Sequence, residues 1–342
     1  MMGKEALFYK KVDDDNVQCY LCHHNCKVSK GNFGLCGVRQ NREGILYSNN
    51  YGKLVAAHID PIEKKPFFHF FPGELAYSIA AIGCNFKCDF CQNWQISQHQ
   101  ESQKLGVESE NFSCEEIVKK AIESGCKIIA YTYTEPTVFF EFAYDCAKIA
   151  KKEGLYNTFV TNGYMSRSAL EFIAPYLDAA NVDLKSFREA FYKKFCKARL
   201  APVLENIKLM KKLNIWVEIT TLIIPQENDS LDELSDIVDF IISVDKNIPW
   251  HISRFHPDYK LYGYLPTEIE TLQKVYQLAK SKGLRYVYIG NAYTDYAENT
   301  YCYQCSRLLI KRVGFSVVRS NLREGKCNFC GAPISGRGLG DE

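Results

Sequence analysis

From about residue 76 to 290 the chain alternates short apolar runs with amphipathic stretches, and this alternation limits the folds open to it. Apolar runs lie at 75–82, 127–133, 155–161, 179–184, 215–224, 249–255 and 284–289. Helical stretches follow at 138–152 and 201–213. Three further helix starts carry a Ser or Thr three residues ahead of a Glu: Ser113 with Glu116, Ser230 with Glu233, and Thr267 with Glu270. Strand then helix, repeated, implies parallel strands joined by right-handed crossovers. The strands are continuous apolar runs, as expected when both faces are covered. Six or seven units predict a rolled sheet. A closed eight-unit barrel takes about 250 residues, and 76–290 is shorter. The expectation is an α/β fold, a partial (β/α)6-type TIM barrel, with chemistry at the carboxyl ends of its strands. Two small cysteine-rich, metal-binding modules are expected to flank it. Residues 1–75 carry the first cysteine group and an aromatic, proline-rich connector at 60–73. Residues 291–342 carry the last group and end in a glycine-rich tail.

Charge excludes some functions. Lys and Arg number 42 against 40 acidic residues, a net charge of +2, so no strong field draws nucleic acid or an anionic membrane. No apolar run is long enough to span a bilayer. The start, Met1-Met2-Gly3-Lys4-Glu5, has no signal-peptide core. A cytoplasmic protein is expected. Fifteen cysteines in that compartment read as metal ligands or catalysts and not as disulfides.

Eleven of them fall into three groups. The central group, Cys84, Cys88 and Cys91, has the spacing C-x3-C-x2-C with Phe90 before the last cysteine. Three thiolates hold three corners of a cubane iron–sulfur cluster and leave the fourth iron open to a small molecule. Structural zinc would want a fourth ligand, and no fourth cysteine is nearby. Cys302, Cys305, Cys327 and Cys330 form two C-x2-C knuckles around a strand-rich hairpin at 307–319, a zinc-ribbon or rubredoxin-like pattern. Zinc is the first choice there and iron the second. Such a site serves as a structural clip, an electron entry point or a docking finger. Cys19, Cys22, Cys26 and Cys36 form another four-thiolate set, and His23 and His24 offer nitrogen ligands, though such histidines are more often solvated neighbours. Zinc is again the first choice and an auxiliary iron–sulfur cluster the rival. Cys114, Cys126, Cys146 and Cys196 are scattered and read as small hydrophobes. Cys196 lies in a basic stretch, Lys193 to Lys197, and keeps a speculative role as hydrogen donor or radical relay.

The Cys84, Cys88, Cys91 spacing with Phe90 resembles the radical SAM superfamily. The resemblance implies a [4Fe-4S] cluster whose open iron is chelated by S-adenosylmethionine. It implies reductive cleavage to methionine and a 5′-deoxyadenosyl radical, which takes hydrogen from a substrate. It also implies cofactor contacts at the strand ends: Phe90 beside the cluster, and Thr134 and Glu135 near the cofactor ammonium. Thr134 and Pro136 read equally as a helix start. Asn162 offers an amide beside Gly163. Asp183 and Lys185 either meet the cofactor or form a plain buried ion pair. His256, preferred over His251, is placed against the ribose or adenine. The segments Cys91-Gln92-Asn93-Trp94-Gln95-Ile96-Ser97, Tyr133-Thr134-Glu135-Pro136, Val182-Asp183-Leu184-Lys185 and Tyr288-Ile289-Gly290-Asn291 are together similar to the AmmeMemoRadiSam-system radical SAM protein, a relative of pyruvate formate-lyase activating enzymes. That narrower likeness implies Memo-like and AMMECR-like partners and a low-potential electron donor such as flavodoxin or ferredoxin. The loop 95–111 has no cysteine, so the two-cluster insert of many glycyl-radical activases is missing. The expected function is radical chemistry on a peptide or small molecule. Activation of a glycyl-radical enzyme is the alternative, and a zinc-dependent binding module is the reading from another class.

Overall fold

The apolar runs become strands laid side by side. The computed structural model describes residues 3–340; Met1, Met2, Asp341 and Glu342, at the outer ends of the two flanking modules, lie outside it. Its main sheet has strands β1 (Lys53–Pro61), β2 (Leu75–Ala81), β3 (Glu110–Asn111), β4 (Ile128–Tyr131), β5 (Tyr156–Thr161), β6 (Ala179–Asp183), β7 (Trp216–Ile223), β8 (Trp250–Arg254) and β9 (Val287–Gly290). Their order is β9-β8-β7-β6-β5-β4-β2-β1-β3. From β2 to β9 each neighbouring pair is parallel and follows chain order. The sheet is thus a partial barrel, and its carboxyl strand ends share one mouth.

Helices cover the outer face: α1 (Cys114–Glu123), α2 (Phe140–Lys152), α3 (Arg167–Ile173), α4 (Ala201–Lys212), α5 (Leu231–Asp245) and α6 (Ile269–Ser281). Apolar residues at helical spacing, such as Leu234, Ile237, Val238 and Ile241 on α5, enter the main core. At α1 the capping box is closed both ways. Ser113 Oγ accepts from Glu116 N–H at 3.1 Å, and Ser113 N–H donates to Glu116 at 2.7 Å. Ser230 caps α5 by accepting from Glu233 N–H.

Three local expectations need correction. Thr267 does not cap α6; the cap position is Glu268, with no side-chain bond. Thr267 Oγ1 instead donates to Ile223 O at 2.6 Å and accepts from Phe255 N–H at 3.0 Å, tying the ends of β7 and β8. The stretch after Trp94 is not one long loop, because it folds into helices Trp94–Ser97 and His99–Lys104 and strand β3. Helix α3, capped by Ser166, was not anticipated.

The connector closes the amino end of the barrel. β1 runs antiparallel to β2, and the chain between them folds inward. Phe67 and Phe70 pack on Ala76, Ile128, Ala130 and Ala179, at the starts of β2, β4 and β6. Glu218 on β7 accepts from the peptide N–H groups of Phe68 (3.0 Å) and His69 (2.8 Å). From below, the C-terminal hairpin of β10 (Leu308–Val313) and β11 (Ser316–Ser320) seals this floor. Buried Arg312 donates to Phe68 O at 2.8 Å and Thr300 Oγ1 at 2.9 Å, and it faces buried Glu63 at 3.4 Å. The N-terminal strands reach the barrel through a buried Arg39–Glu141 pair and a bridge between Cys22 and Met165. Among the described residues no helix is long and apolar enough to cross a membrane.

Candidate active site

Gly83 ends the run after β2 at φ 113°, a conformation that L side chains rarely adopt. A Cβ there would also sit 2.8 Å from Val38 Cγ1. The next residues carry the cysteine triad. Lys87 N–H donates to Cys196 O and Asp89 N–H to Phe195 O, both at 3.0 Å, so the loop rests on the π-helical turn Tyr192–Cys196. Phe86 N–H donates to Cys84 Sγ at 3.3 Å, and Cys91 Sγ lies 3.0 Å from Ser97 Oγ. Cys196, the speculative relay, is fully buried, and it does not line the cavity.

All three sulfurs border one cavity of about 390 Å³ at the carboxyl ends of the strands. Burial pushes the Cys84 and Cys91 thiols up; at Cys88 the Cys196 sulfur does most of this, with burial adding to it. Ionising three such thiols together calls for a cationic partner. A single tetrahedral zinc would draw its sulfurs to about 3.8 Å of one another, from bonds near 2.3 Å. Among the described residues the triad is not drawn within 4.8 Å, a spread that suits a polynuclear cluster. Asn85 Nδ2, beside Cys84, is buried and has no partner among the described residues, a donor left for a bound group. The residues therefore fit a cubane with a small polar ligand on its open corner.

The other expected residues gather at this cavity, with one exception. Phe90 lines it, under the Lys185 ammonium at 5.6 Å. Thr134 Oγ1 donates to Ala81 O at 2.7 Å and so fixes its loop. Glu135 is present, but its carboxylate already accepts from Thr137 N–H and Oγ1, Thr161 Oγ1 and Asn162 N–H. It binds the β4 loop to the end of β5. Asn162 Nδ2 donates to Asn85 Oδ1 at 2.7 Å and lies 3.8 Å from Cys84 Sγ. Asp183 and Lys185 pair at 2.9 Å. Burial opposes the Lys185 charge, but Asp183 and the nearby Cys88 and Cys196 outweigh it and hold the ammonium well above its usual range. The exception is His256. It is exposed and meets the rim through Gln92 at 3.2 Å. His251 is the histidine that lines the cavity, 2.7 Å from Glu218.

Sequence reasoning missed Lys65, and it marked Tyr288 only as part of a family segment, although that ring also lines the cavity. Lys65 lines the cavity, pairs with Asp60 at 2.8 Å and lies over the Tyr133 ring at 3.9 Å. Burial outweighs Asp60 and pulls its ammonium down to about 8. Its signal was a lysine pair at the head of the aromatic, proline-rich connector.

The C-terminal cysteines behave differently from the triad. Cys302 and Cys330 lie 3.6 Å apart, Cys305 and Cys327 3.7 Å, and all four sulfurs fall within 4.8 Å. That is the spacing of one tetrahedral ion, which zinc and iron both accept. Phe329 N–H donates to Cys327 Sγ at 3.4 Å. Burial resists, but this bond, the Cys330 N–H and the neighbouring thiols draw Cys327 down to about 7. At the N-terminus, His24 Nε2 is 2.8 Å from Asn85 O, so that nitrogen is engaged by the cluster loop.

The sequence model of the radical SAM superfamily matches residues 79–241. Over 334 residues the chain is 46% identical to the uncharacterized protein MJ0808 of Methanocaldococcus jannaschii, covering 97% of this chain and 98% of that one. Over 221 residues it is 23% identical to the pyruvate formate-lyase 1-activating enzyme of Escherichia coli K12, covering 59% and 87%. In fold it is similar to Streptococcus suis SuiB bound to S-adenosylmethionine, with a TM-score of 0.51 at 15% identity, covering 71% and 56%.

Proposed function

Because this chain belongs to the radical SAM superfamily, we propose that it takes a small molecule or a flexible peptide as substrate, in the cavity above Cys84, Cys88 and Cys91. The family assignment sets aside the binding-module reading. When bound, the cluster and S-adenosylmethionine supply reductive cleavage to methionine and a 5′-deoxyadenosyl radical that abstracts hydrogen. The chain's own part is to hold and screen. The three thiolates carry the cluster. Asn85 and Asn162 form an amide pair beside Cys84 that orients a polar ligand. Asp183 and Lys185 present a fixed charge pair next to Phe90, and the stoppered barrel floor keeps water from entering below.

The observation that carries the substrate class is Phe315. It sits on the turn between β10 and β11 and lines the same cavity. The C-terminal module therefore walls one side of the site. A turn of the C-terminal module in the cavity lining leaves less room for a folded partner's glycine loop than for a small molecule or an extended peptide. Likeness to an activating enzyme favours a second reading, activation of a glycyl-radical enzyme. The AmmeMemoRadiSam resemblance supports Memo-like and AMMECR-like proteins as partners, with flavodoxin or ferredoxin as reductant.

The test is anaerobic turnover of reconstituted enzyme with S-adenosylmethionine, reductant and each candidate. Methionine and 5′-deoxyadenosine formed in step with conversion of a free substrate are expected. A persistent glycyl radical in a partner protein, with no free-substrate conversion, would establish the activase reading instead.

A further inference from the structure

The N-terminal cysteines and the C-terminal cysteines have the same ligand count but not the same geometry. Among the described residues, no three sulfurs of Cys19, Cys22, Cys26 and Cys36 all lie within 4.8 Å of one another. In this they match the catalytic triad and differ from the C-terminal single-ion site. They nevertheless share one neighbourhood. Cys19 N–H donates to Cys26 O at 2.9 Å, and Cys22 lies within electrostatic reach of the other three sulfurs.

A buried cation and peptide donors face these sulfurs. Arg39 is 1% exposed, and its Nη1 lies 3.5 Å from Cys19 Sγ. Its Nη2 is held by Glu141 and by Leu7 O at 3.2 Å, while its Nε is buried and unpartnered. Peptide N–H groups of His24 and Val38 reach Cys22 and Cys36. Hydrogen bonds to sulfur and a buried cation favour the charge of a thiolate-bound cluster.

The site also abuts the catalytic loop on both sides of Cys84. A Cβ on Gly83 would lie 3.3 Å from Cys36 O, and Asn85 O is the partner of His24. We propose that Cys19, Cys22, Cys26 and Cys36 hold a second iron–sulfur cluster, packed directly against the loop that carries the catalytic one. A wide four-thiolate cage suits a cubane, and a single zinc would require the cage to contract.

The decisive protein is full-length C84A/C88A/C91A, purified anaerobically. It lacks the catalytic ligands, so the outcome is independent of the proposed substrate chemistry. Iron, zinc and acid-labile sulfide are counted per chain, with electron paramagnetic resonance after dithionite reduction. About four irons and four sulfides should remain, with a reduced-cluster signal. Adding Cys26→Ser and Cys36→Ser should remove the sulfide. Zinc in both terminal sites with no sulfide would overturn the proposal, as would sulfide that survives the added substitutions. If the triple variant does not fold, counting the unmodified protein decides: about eight sulfides support two cubanes, and about four allow only one.

Discussion

Acid should loosen the barrel floor through one histidine. His69 is fully buried. Its Nδ1 lies 2.7 Å from Ser335 O and its Nε2 2.6 Å from Tyr288 OH. A carbonyl only accepts, so Nδ1 carries the proton and Nε2 accepts from the tyrosine. The neutral ring is satisfied at both ends. Burial, with Glu218 only partly opposing it, pulls the imidazolium down to about 4 from 6.5. The unfolded chain therefore takes up this proton first. Stability is whole above about pH 6.5, declines below it, and is fully lost from this group once pH passes about 4. The total is about 3 kcal/mol, and about 2 kcal/mol is lost by pH 5. His69→Gln offers one donor and one acceptor and does not titrate. Urea midpoints for both proteins, reduced and anaerobic, should be compared at about pH 7.5 and pH 5. The unmodified protein should lose about 2 kcal/mol more than the variant. Losses that agree within about 0.5 kcal/mol would refute the reasoning.

Other substitutions probe the remaining parts. Cys84→Ala, Cys88→Ala and Cys91→Ala should each lower 5′-deoxyadenosine formation at least about a thousandfold, read by chromatography of anaerobic assays. Lys185→Met should raise KM for S-adenosylmethionine about tenfold while the melting temperature stays near that of the unmodified protein. Gly83→Ala forces a side chain into a left-handed position against Val38. It should cost about 1–3 kcal/mol, seen in thermal melts together with lower iron content. Arg312→Ala strands buried Glu63 and should cost about 3–5 kcal/mol. Limited proteolysis should then cut between barrel and C-terminal hairpin, a site protected in the unmodified protein.

Local signals in the chain were readable where chemistry and spacing coincide. The Ser113–Glu116 box marks α1 because both halves of the motif are adjacent in sequence. The triad and the C-terminal knuckles announce themselves for the same reason. Thr267 misled because its hydroxyl had a better use: two strand ends lay within reach, which no local pattern shows. The helices after Trp94 were hidden by polar composition. His256 was preferred over His251 because it stands farther along the chain past β8. In the fold, Glu218, one strand over, draws His251 inward, and that pairing joins residues 33 positions apart. Glu63 and Arg312 were silent for the same reason. They meet across 249 positions, and their charges read as ordinary solvated ones.

The aromatic run at 67–71 emerges early in synthesis, yet part of what covers it is made late. Glu218 lies 149 residues after His69, Tyr288 lies 219 after it, and Ser335 lies 266 after it. A growing chain thus carries a partly uncovered apolar segment until late in its translation, a situation that favours off-pathway association and chaperone capture. Iron delivered to the triad before release of the nascent chain would meet a site still open from beneath, so maturation of this enzyme is expected to be post-translational.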